Sequence, residues 1–257
     1  MLKQNHVDLN ADAGESFGLW PMGSDERLFP LLTSANLACG FHAGDPLTIQ
    51  KSVRLAKRNG VAIGAHPGFR DLVGFGRRDI ALNPEEAYAD TLYQVGALNA
   101  FVTGEDTALH HVKPHGTFYL RMLRDSDFAQ AVAQAVVDFG NDLPLVVLGG
   151  PGGKVMQEAA VKAGARVVLE AFPDRAYLAD GRLAPRSMEG SLVRDPTLAA
   201  ERAVAMVTQG RVAALGGGEA EVRAETLCIH GDNPEAPEIA RAVRAALEEA
   251  NVNIRPF

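Results

Sequence analysis

The segment Ile63-Gly64-Ala65-His66-Pro67-Gly68 is a short apolar run that ends at a histidine and a glycine turn. Such a run is typical of a buried strand that reaches its end. The same context recurs in Cys39-Gly40-Phe41-His42-Ala43-Gly44, Val112-Lys113-Pro114-His115-Gly116 and Leu227-Cys228-Ile229-His230-Gly231-Asp232. A lone strand-end histidine is usually structural. Because α/β enzymes carry their chemistry at the carboxyl ends of parallel strands, several of them favour one shared pocket.

Apolar runs alternate with helical stretches along the whole chain. The predicted strands lie near Val7–Ala11, Asn36–Cys39, Val61–Ala65, His111–Lys113, Leu145–Leu148, Arg166–Ala171 and Thr226–Ile229, with weaker ones near Gly190–Val193 and Val212–Leu215. Helix starts are marked by a capping residue followed by proline at Asp45-Pro46, Asn83-Pro84, Asp195-Pro196 and Asn233-Pro234. This alternation predicts parallel strands with right-handed crossovers. Polar residues on both the first and last strands favour a closed barrel over an open sheet.

Length and composition agree with one barrel domain. A (β/α) barrel needs about 250 residues, and the chain has 257. We therefore predict a single α/β domain over residues 1–257, an irregular (β/α) barrel of about seven to eight parallel strands. The net charge of −7 argues against nucleic acid as a partner. No signal region or membrane-spanning run is seen, so a cytoplasmic protein without a membrane partner is expected, with Cys39 and Cys228 as buried thiols.

The first predicted strand carries polar side chains on one face. With a period of two, Asp8, Asn10 and Asp12 point the same way. Carboxylates inside a barrel are costly unless they meet partners. The alternatives are a half-exposed edge strand or the polar floor of a pocket, and we favour the pocket.

Two later strand ends add further ionisable groups. Lys113 and His115 lie two residues apart; lysine can hold an oxyanion or phosphate, and histidine can move a proton near neutral pH. Glu170 ends another strand, and Arg175 could clamp a carboxylate or form an ion pair with Asp174 or Glu170.

Two motifs give weaker indications. Arg77-Arg78 could bind an anion or cap a loop, and Gly149–Lys154 departs from the phosphate-binding P-loop, so a tight turn is predicted there. Asp8 or Asp12 with His42 and His66 would suit zinc, but no closely spaced metal motif occurs, and a bound transition metal is not expected.

Six motifs stand out together: Asp8–Glu15, Ser34–Pro46, Gly64–Gly68, Gly74–Arg78, Val112–Gly116 and Ile229–Asp232. Through these motifs the chain resembles the LamB/YcsF family, over the stretch from about Val7 to the C-terminus. One departure, Pro173, affects only a local loop.

The resemblance implies a barrel of the glycoside hydrolase/deacetylase type and a 5-oxoprolinase activity. In that activity ATP, with Mg²⁺, drives the opening of the lactam 5-oxo-L-proline to L-glutamate, together with B and C subunits. No standard nucleotide loop is present, so the ATP site is expected to belong largely to the partners. For this chemistry we predict catalytic roles for Asp12, His42, His66, Lys113 and His115, and substrate binding by Asp8, Asn10, Glu170, Arg175 and His230.

Two other functions are kept as alternatives. One is a metal-dependent deacetylase or amidohydrolase that acts on a sugar or amide, as analogy of fold would suggest. The other is a regulatory small-molecule binder with a catalytically idle pocket, although a dense set of paired ionisable groups argues against it.

Overall fold

The structure is a computed structural model that describes residues 6–140 and 142–257. Within these ranges, seven parallel strands pair in chain order and close into a barrel, because the last of them pairs back to the first. The prediction of a closed, irregular (β/α) barrel is confirmed. The barrel strands are β1 (His6–Ala13), β2 (Ser34–Ala38), β3 (Ala62–His66), β4 (Leu109–Val112), β5 (Leu145–Leu148), β6 (Val167–Ala171) and β9 (Thr226–Ile229).

Helices surround the barrel and connect its strands. Their bounds are α1 (Asp25–Leu28), α2 (Pro46–Asn59), α3 (Pro84–Gly104), α4 (Gly116–Met122), α5 (Ser126–Phe139), α6 (Lys154–Lys162), α7 (Pro196–Gln209) and α8 (Ala236–Glu249), with short 3₁₀ turns at Phe29–Leu31 and Pro151–Gly153. No helix in the described part of the chain is both long enough and apolar enough to cross a membrane.

Three of the four predicted helix starts are confirmed by their capping bonds. The side chains of Asp45, Asn83 and Asp195 accept hydrogen bonds from the first-turn backbone, which satisfies N–H groups that the helix leaves open. The fourth start was wrong by two residues, because Asn233 instead accepts a bond from the backbone of Glu235 and the helix begins later.

The irregularity of the barrel lies between β6 and β9. This stretch contains α7 and an antiparallel hairpin of β7 (Arg211–Ala213) and β8 (Glu219–Glu221), which lies outside the barrel. The weak strand prediction at 212–215 therefore falls largely on the hairpin. The one at 190–193 was wrong, since that segment forms only an isolated bridge between Leu192 and Arg175. A short last strand, β10 (Asn253–Ile254), pairs with the start of β1.

Gly64 in β3 leaves the space that a buried histidine of the neighbouring strand occupies. A Cβ atom at Gly64 would lie 2.1 Å from Nε2 of His111 on β4. The His111 ring is fully buried and donates from Nε2 to Oδ1 of Asn36 at 2.7 Å, so it has little freedom to move aside. His111 therefore has a structural role inside the barrel.

Gly64→Ala is expected to destabilise the fold by about 1–3 kcal/mol, the usual effect of overpacking a core. The measurement is the free energy of unfolding in urea. Gly96→Ala in α3 is the matched control, because nothing lies within 4 Å of its added Cβ. In a helix interior that change stabilises by up to about 1 kcal/mol. Equal stability of the two variants would contradict the packing argument.

Candidate active site

The carboxyl ends of β1 to β4 bring polar side chains from distant parts of the sequence together inside the barrel. The strand register aligns Asp12 with Asn36 across β1 and β2, and Ala38 with His66 across β2 and β3. Lys113 follows β4 directly, and its backbone N–H donates to the carbonyl of Ala65. The shared pocket that the strand-end histidines predicted therefore has a structural counterpart at this edge of the barrel.

Lys113 is the centre of a buried charge cluster. Its Nζ lies 2.6 Å from Oδ1 of Asp12 and 3.3 Å from Oε1 of Glu170. The same Nζ lies 2.8 Å from the thiol of Cys228 on β9, which is a free cysteine as predicted. The ammonium group of Lys113 thus pairs with two carboxylates that lie more than half of the chain apart in sequence.

The groups of this cluster stabilise one another in their charged forms. Burial alone would raise the pKa of Asp12, but His66 and Lys113 hold it well below its usual range. Burial likewise opposes the charge of Lys113, yet the neighbouring Asp12, Cys228 and Glu170 raise its pKa well above the ordinary value. Asp12 is therefore an ionised carboxylate and Lys113 an ammonium at neutral pH.

Glu170 is the more distant of the two carboxylates that pair with Lys113. Burial, aided by the charge of Asp12, raises the pKa of Glu170 from 4.5 to about 7 against the attraction of Lys113. A folded-state pKa above the unfolded value means that the folded chain binds the proton more tightly. The contribution of Glu170 to stability is therefore largest below pH 4.5 and is lost as the pH rises through about 7.

Glu170→Gln is expected to remove this pH dependence. Relative to wild type, the free energy of unfolding of the variant should rise by about 3 kcal/mol between about pH 4.5 and pH 8, because each pKa unit corresponds to about 1.4 kcal/mol. Urea unfolding of both proteins across this range measures the difference. A difference that stays constant with pH would show that Glu170 ionises normally in the folded chain.

Two histidines beside Asp12 have their ring orientation set by backbone carbonyls. His66 donates from Nδ1 to the carbonyl of Lys113 at 2.6 Å, and His115 donates from Nε2 to the carbonyl of Phe75 at 2.9 Å. The two remaining nitrogens, Nε2 of His66 and Nδ1 of His115, face each other at 3.0 Å. Nε2 of His66 also lies 3.3 Å from Oδ2 of Asp12.

Glu15 and His42 complete this group. The rings of His42 and His115 stack with centroids 3.8 Å apart, and Oε1 of Glu15 lies 3.7 Å from Nε2 of His42 and 3.6 Å from Nδ1 of His115. Burial raises the pKa of Glu15 well above normal, and burial lowers the pKa of both His42 and His115 well below normal. Gly76 packs against the stack, since a Cβ there would lie 2.7 Å from Cδ2 of His115.

Asp8 and Asn10 lie deeper in the barrel than the histidines. Both are buried, and Asp8 accepts hydrogen bonds from Thr33, Ser34 and Thr226. Asn10 donates to Thr226 and Glu170 and accepts from Asn36. The polar face of β1 thus points into the barrel, and the alternative of a half-exposed edge strand was wrong. The carboxylate of Asp8 accepts its hydrogen bonds from hydroxyl groups below the site. Asp8 is therefore not part of the cluster that Glu15 and the histidines form.

His230 and Arg175 lie on the side of the site formed after β6 and β9. His230 Nδ1 lies 2.9 Å from Oδ2 of Asp174, a partner that the sequence analysis did not assign to the site. Arg175 is buried and donates to the carbonyl of Ala184, and its Nε has no hydrogen-bond partner. Among the described residues, neither of the ion pairs considered for Arg175 forms.

The remaining motifs have structural roles. Arg78 pairs with Asp71 within one loop, whereas Arg77 reaches Asp232 at 2.5 Å on the loop after β9. The glycine-rich loop after β5 is a tight turn, as predicted, because a Cβ at Gly149 would lie 1.7 Å from the carbonyl oxygen of Arg223.

Glu15 and Asp174 are the residues of the site that the sequence patterns did not predict. Glu15 lies just beyond β1, where a single acidic residue carries no distinguishing signal.

The fold and the site define an α/β-barrel protein with a buried cluster of ionisable side chains at the carboxyl ends of its strands. Comparison with known proteins then shows the family. The sequence profile of the LamB/YcsF family matches residues 7–257, and the chain belongs to this family.

Relatives match over nearly their whole length. A protein of Thermus thermophilus, named as the A subunit of 5-oxoprolinase, is 65% identical over 98% of this chain and 99% of its own. One of the same name from Pyrococcus furiosus is 50% identical over 98% and 97% of the two chains. The crystal structure of a lactam utilization protein, also from Thermus thermophilus, is 63% identical, with a TM-score of 0.93 over 98% of this chain and 100% of that one.

Proposed function

We propose that this chain is the A subunit of an ATP-dependent 5-oxoprolinase, which opens the lactam of 5-oxo-L-proline to give L-glutamate. The observation that carries the proposal is the 65% identity, across nearly the full length of both chains, to a relative that bears this name. The buried acid–base site supports it, because lactam opening needs such groups.

The chemistry sets clear demands on the site. A five-membered lactam is a poor electrophile, and phosphorylation of its amide oxygen by ATP makes the ring carbon attackable. Water then adds to that carbon, the C–N bond breaks with a proton going to nitrogen, and a second water hydrolyses the resulting acyl phosphate. The site must supply a base for water, a cation for the developing oxyanion and groups that hold the substrate.

The Asp12–His66 pair is suited to the role of base. Asp12 is ionised, and its Oδ2 lies 3.3 Å from Nε2 of His66. The other ring nitrogen of His66 is engaged by the Lys113 carbonyl, which fixes the ring. A fixed imidazole next to a carboxylate can take a proton from water and pass it on.

Lys113 is suited to stabilise the oxyanion. The residues that follow β6 and β9 are suited to hold the substrate. The ammonium group of Lys113 is charged and held within 2.6 Å of Asp12, so little reorganisation is needed during the reaction. Arg175 has a free Nε, which offers a donor for the substrate carboxylate. The pairing with Asp174 orients the His230 ring.

The proposal includes partners and a co-substrate. The relatives are named as A subunits, which implies an assembly, and we propose the B and C subunits of 5-oxoprolinase as the partners, in the cytoplasm. The loop after β5 is a tight turn and departs from the P-loop sequence. We therefore assign most of the site for ATP with Mg²⁺ to the partner chains.

Glutamate release from 5-oxoproline tests the proposal. It is measured with and without ATP, for this chain alone and mixed with its B and C partners. We expect glutamate only in the complete mixture and only with ATP. Absence of glutamate when all three chains are folded and associated would overturn the proposal. Chelator-sensitive amide hydrolysis without ATP would instead favour a metal-dependent amidohydrolase.

A further inference from the structure

Four buried side chains at the carboxyl ends of the barrel strands place their donor atoms close together. They come from the ends of four different strands: Glu15, His42, His66 and His115. One ligand atom from each lies within 4.8 Å of all the others. Three imidazoles and a carboxylate are a donor set that first-row transition-metal ions favour.

The hydrogen bonds of His66 and His115 leave two lone pairs facing each other. A carbonyl oxygen only accepts, so each ring must carry its proton on the nitrogen that meets a carbonyl: Nδ1 of His66 and Nε2 of His115. When both rings are neutral, the other nitrogens lie 3.0 Å apart as two acceptors. Such a contact is repulsive unless a proton or a cation lies between the two nitrogens. The backbone carbonyls match the partners that orient metal-binding histidines.

Glu15 and His42 supply the second, independent observation. Oε1 of Glu15 and both ring nitrogens of His42 are buried without a hydrogen-bond partner. The exposed fraction is 4% for Glu15 and 0% for His42. Buried polar atoms are nearly always partnered, because an unpaired one costs free energy. Here Oε1 of Glu15 and one ring nitrogen of His42 lie close to the facing nitrogens of His66 and His115.

Three of the separations between donors fit one ion as they stand. Metal–ligand bonds of about 2.0–2.2 Å place neighbouring ligand atoms roughly 3–4 Å apart. The observed separations are 3.0 Å between the facing nitrogens and 3.6 Å from Glu15 to His115. His42 lies 3.7 Å from Glu15, but its ring is parallel to that of His115. The His42 ring must tilt to join, and it has no hydrogen bond to break.

We propose that Glu15, His42, His66 and His115 bind one divalent first-row transition-metal ion. Magnesium and calcium fit poorly, because both prefer all-oxygen sites. The ion would lie next to Asp12 and would supply Lewis-acid chemistry there. Because it would take the lone pair on Nε2 of His66, Asp12 alone would then act as the base of the Asp12–His66 pair. This inference goes beyond the proposed function and does not depend on it, since binding is measured on the isolated chain without substrate or partners.

Metal binding to the stripped chain tests the proposal directly. The full-length protein is treated with a chelator and titrated with Zn²⁺ by calorimetry, and Co²⁺ is added separately to record its visible absorption. We expect one equivalent of Zn²⁺ and a Co²⁺ spectrum of a site with nitrogen ligands. His115→Ala and Glu15→Gln are each expected to weaken Zn²⁺ binding by at least about 100-fold, a loss beyond that typical of outer-sphere changes.

His6→Ala is the matched control, because His6 is exposed and begins β1, at the end of that strand opposite to the one that Glu15 follows. Its Zn²⁺ affinity should equal that of wild type. Glu15→Gln keeps the shape of the side chain, so it tests the site even if His115→Ala fails to fold. Wild-type protein that binds neither Zn²⁺ nor Co²⁺, or Glu15→Gln with unchanged affinity, would overturn the proposal and leave a shared proton between His66 and His115.

Discussion

Asp12→Asn is expected to lower ATP-dependent glutamate formation by the assembled enzyme by about 10²–10⁴-fold, the usual contribution of a positioned acid–base group. Asparagine has nearly the same shape and can still accept from Asn36 and Lys113, which bond to Oδ1 of Asp12 at 2.9 and 2.6 Å. What it removes is the charge beside His66. The loss should therefore fall on kcat, with less effect on KM.

The measurement is the steady-state rate of glutamate release, with the B and C subunits present in excess. Asp90→Asn is the matched control, because Asp90 is also a buried carboxylate but pairs with Arg70 on the outside of the barrel. The control should keep the wild-type kcat. A wild-type kcat for Asp12→Asn would exclude the role of base assigned to the Asp12–His66 pair.

Lys113→Met is expected to destabilise the chain by about 3–5 kcal/mol and to abolish glutamate formation. Methionine fills a similar volume, so the loss comes chiefly from charge. Asp12 and Glu170 would remain buried without the ammonium group that lies 2.6 and 3.3 Å from them. Removal of one partner from a buried ion pair typically costs this much, because the remaining charge is uncompensated.

Urea unfolding near pH 8, where Glu170 is ionised, measures the loss. Lys154→Met is the control, since the Lys154 side chain is 74% exposed, and a surface change of this kind stays within about 0.5 kcal/mol. The double variant Lys113→Met with Glu170→Gln should recover part of the stability, because it removes one of the two uncompensated carboxylates. Full wild-type stability of Lys113→Met would contradict the charge cluster as described.

The fold could be predicted from the sequence because its determinants are local. Apolar runs closed by glycine or proline mark the barrel strands, and capping residues such as Asp45 and Asn83 mark where helices begin. The period of two in β1 also placed Asp8, Asn10 and Asp12 on one inward face, and their burial agrees. Each of these signals depends on residues within a few positions of one another.

The sequence alone therefore determined the barrel and the strand ends that carry the chemistry. Which side chains meet was decided only by the tertiary structure. Strand register and barrel closure set the contacts between Lys113 and Glu170, between His230 and Asp174, and between Glu15 and the histidines. They also turned Asp8 toward hydroxyl groups below the site. These partners lie tens to hundreds of residues apart, so no local pattern could pair them.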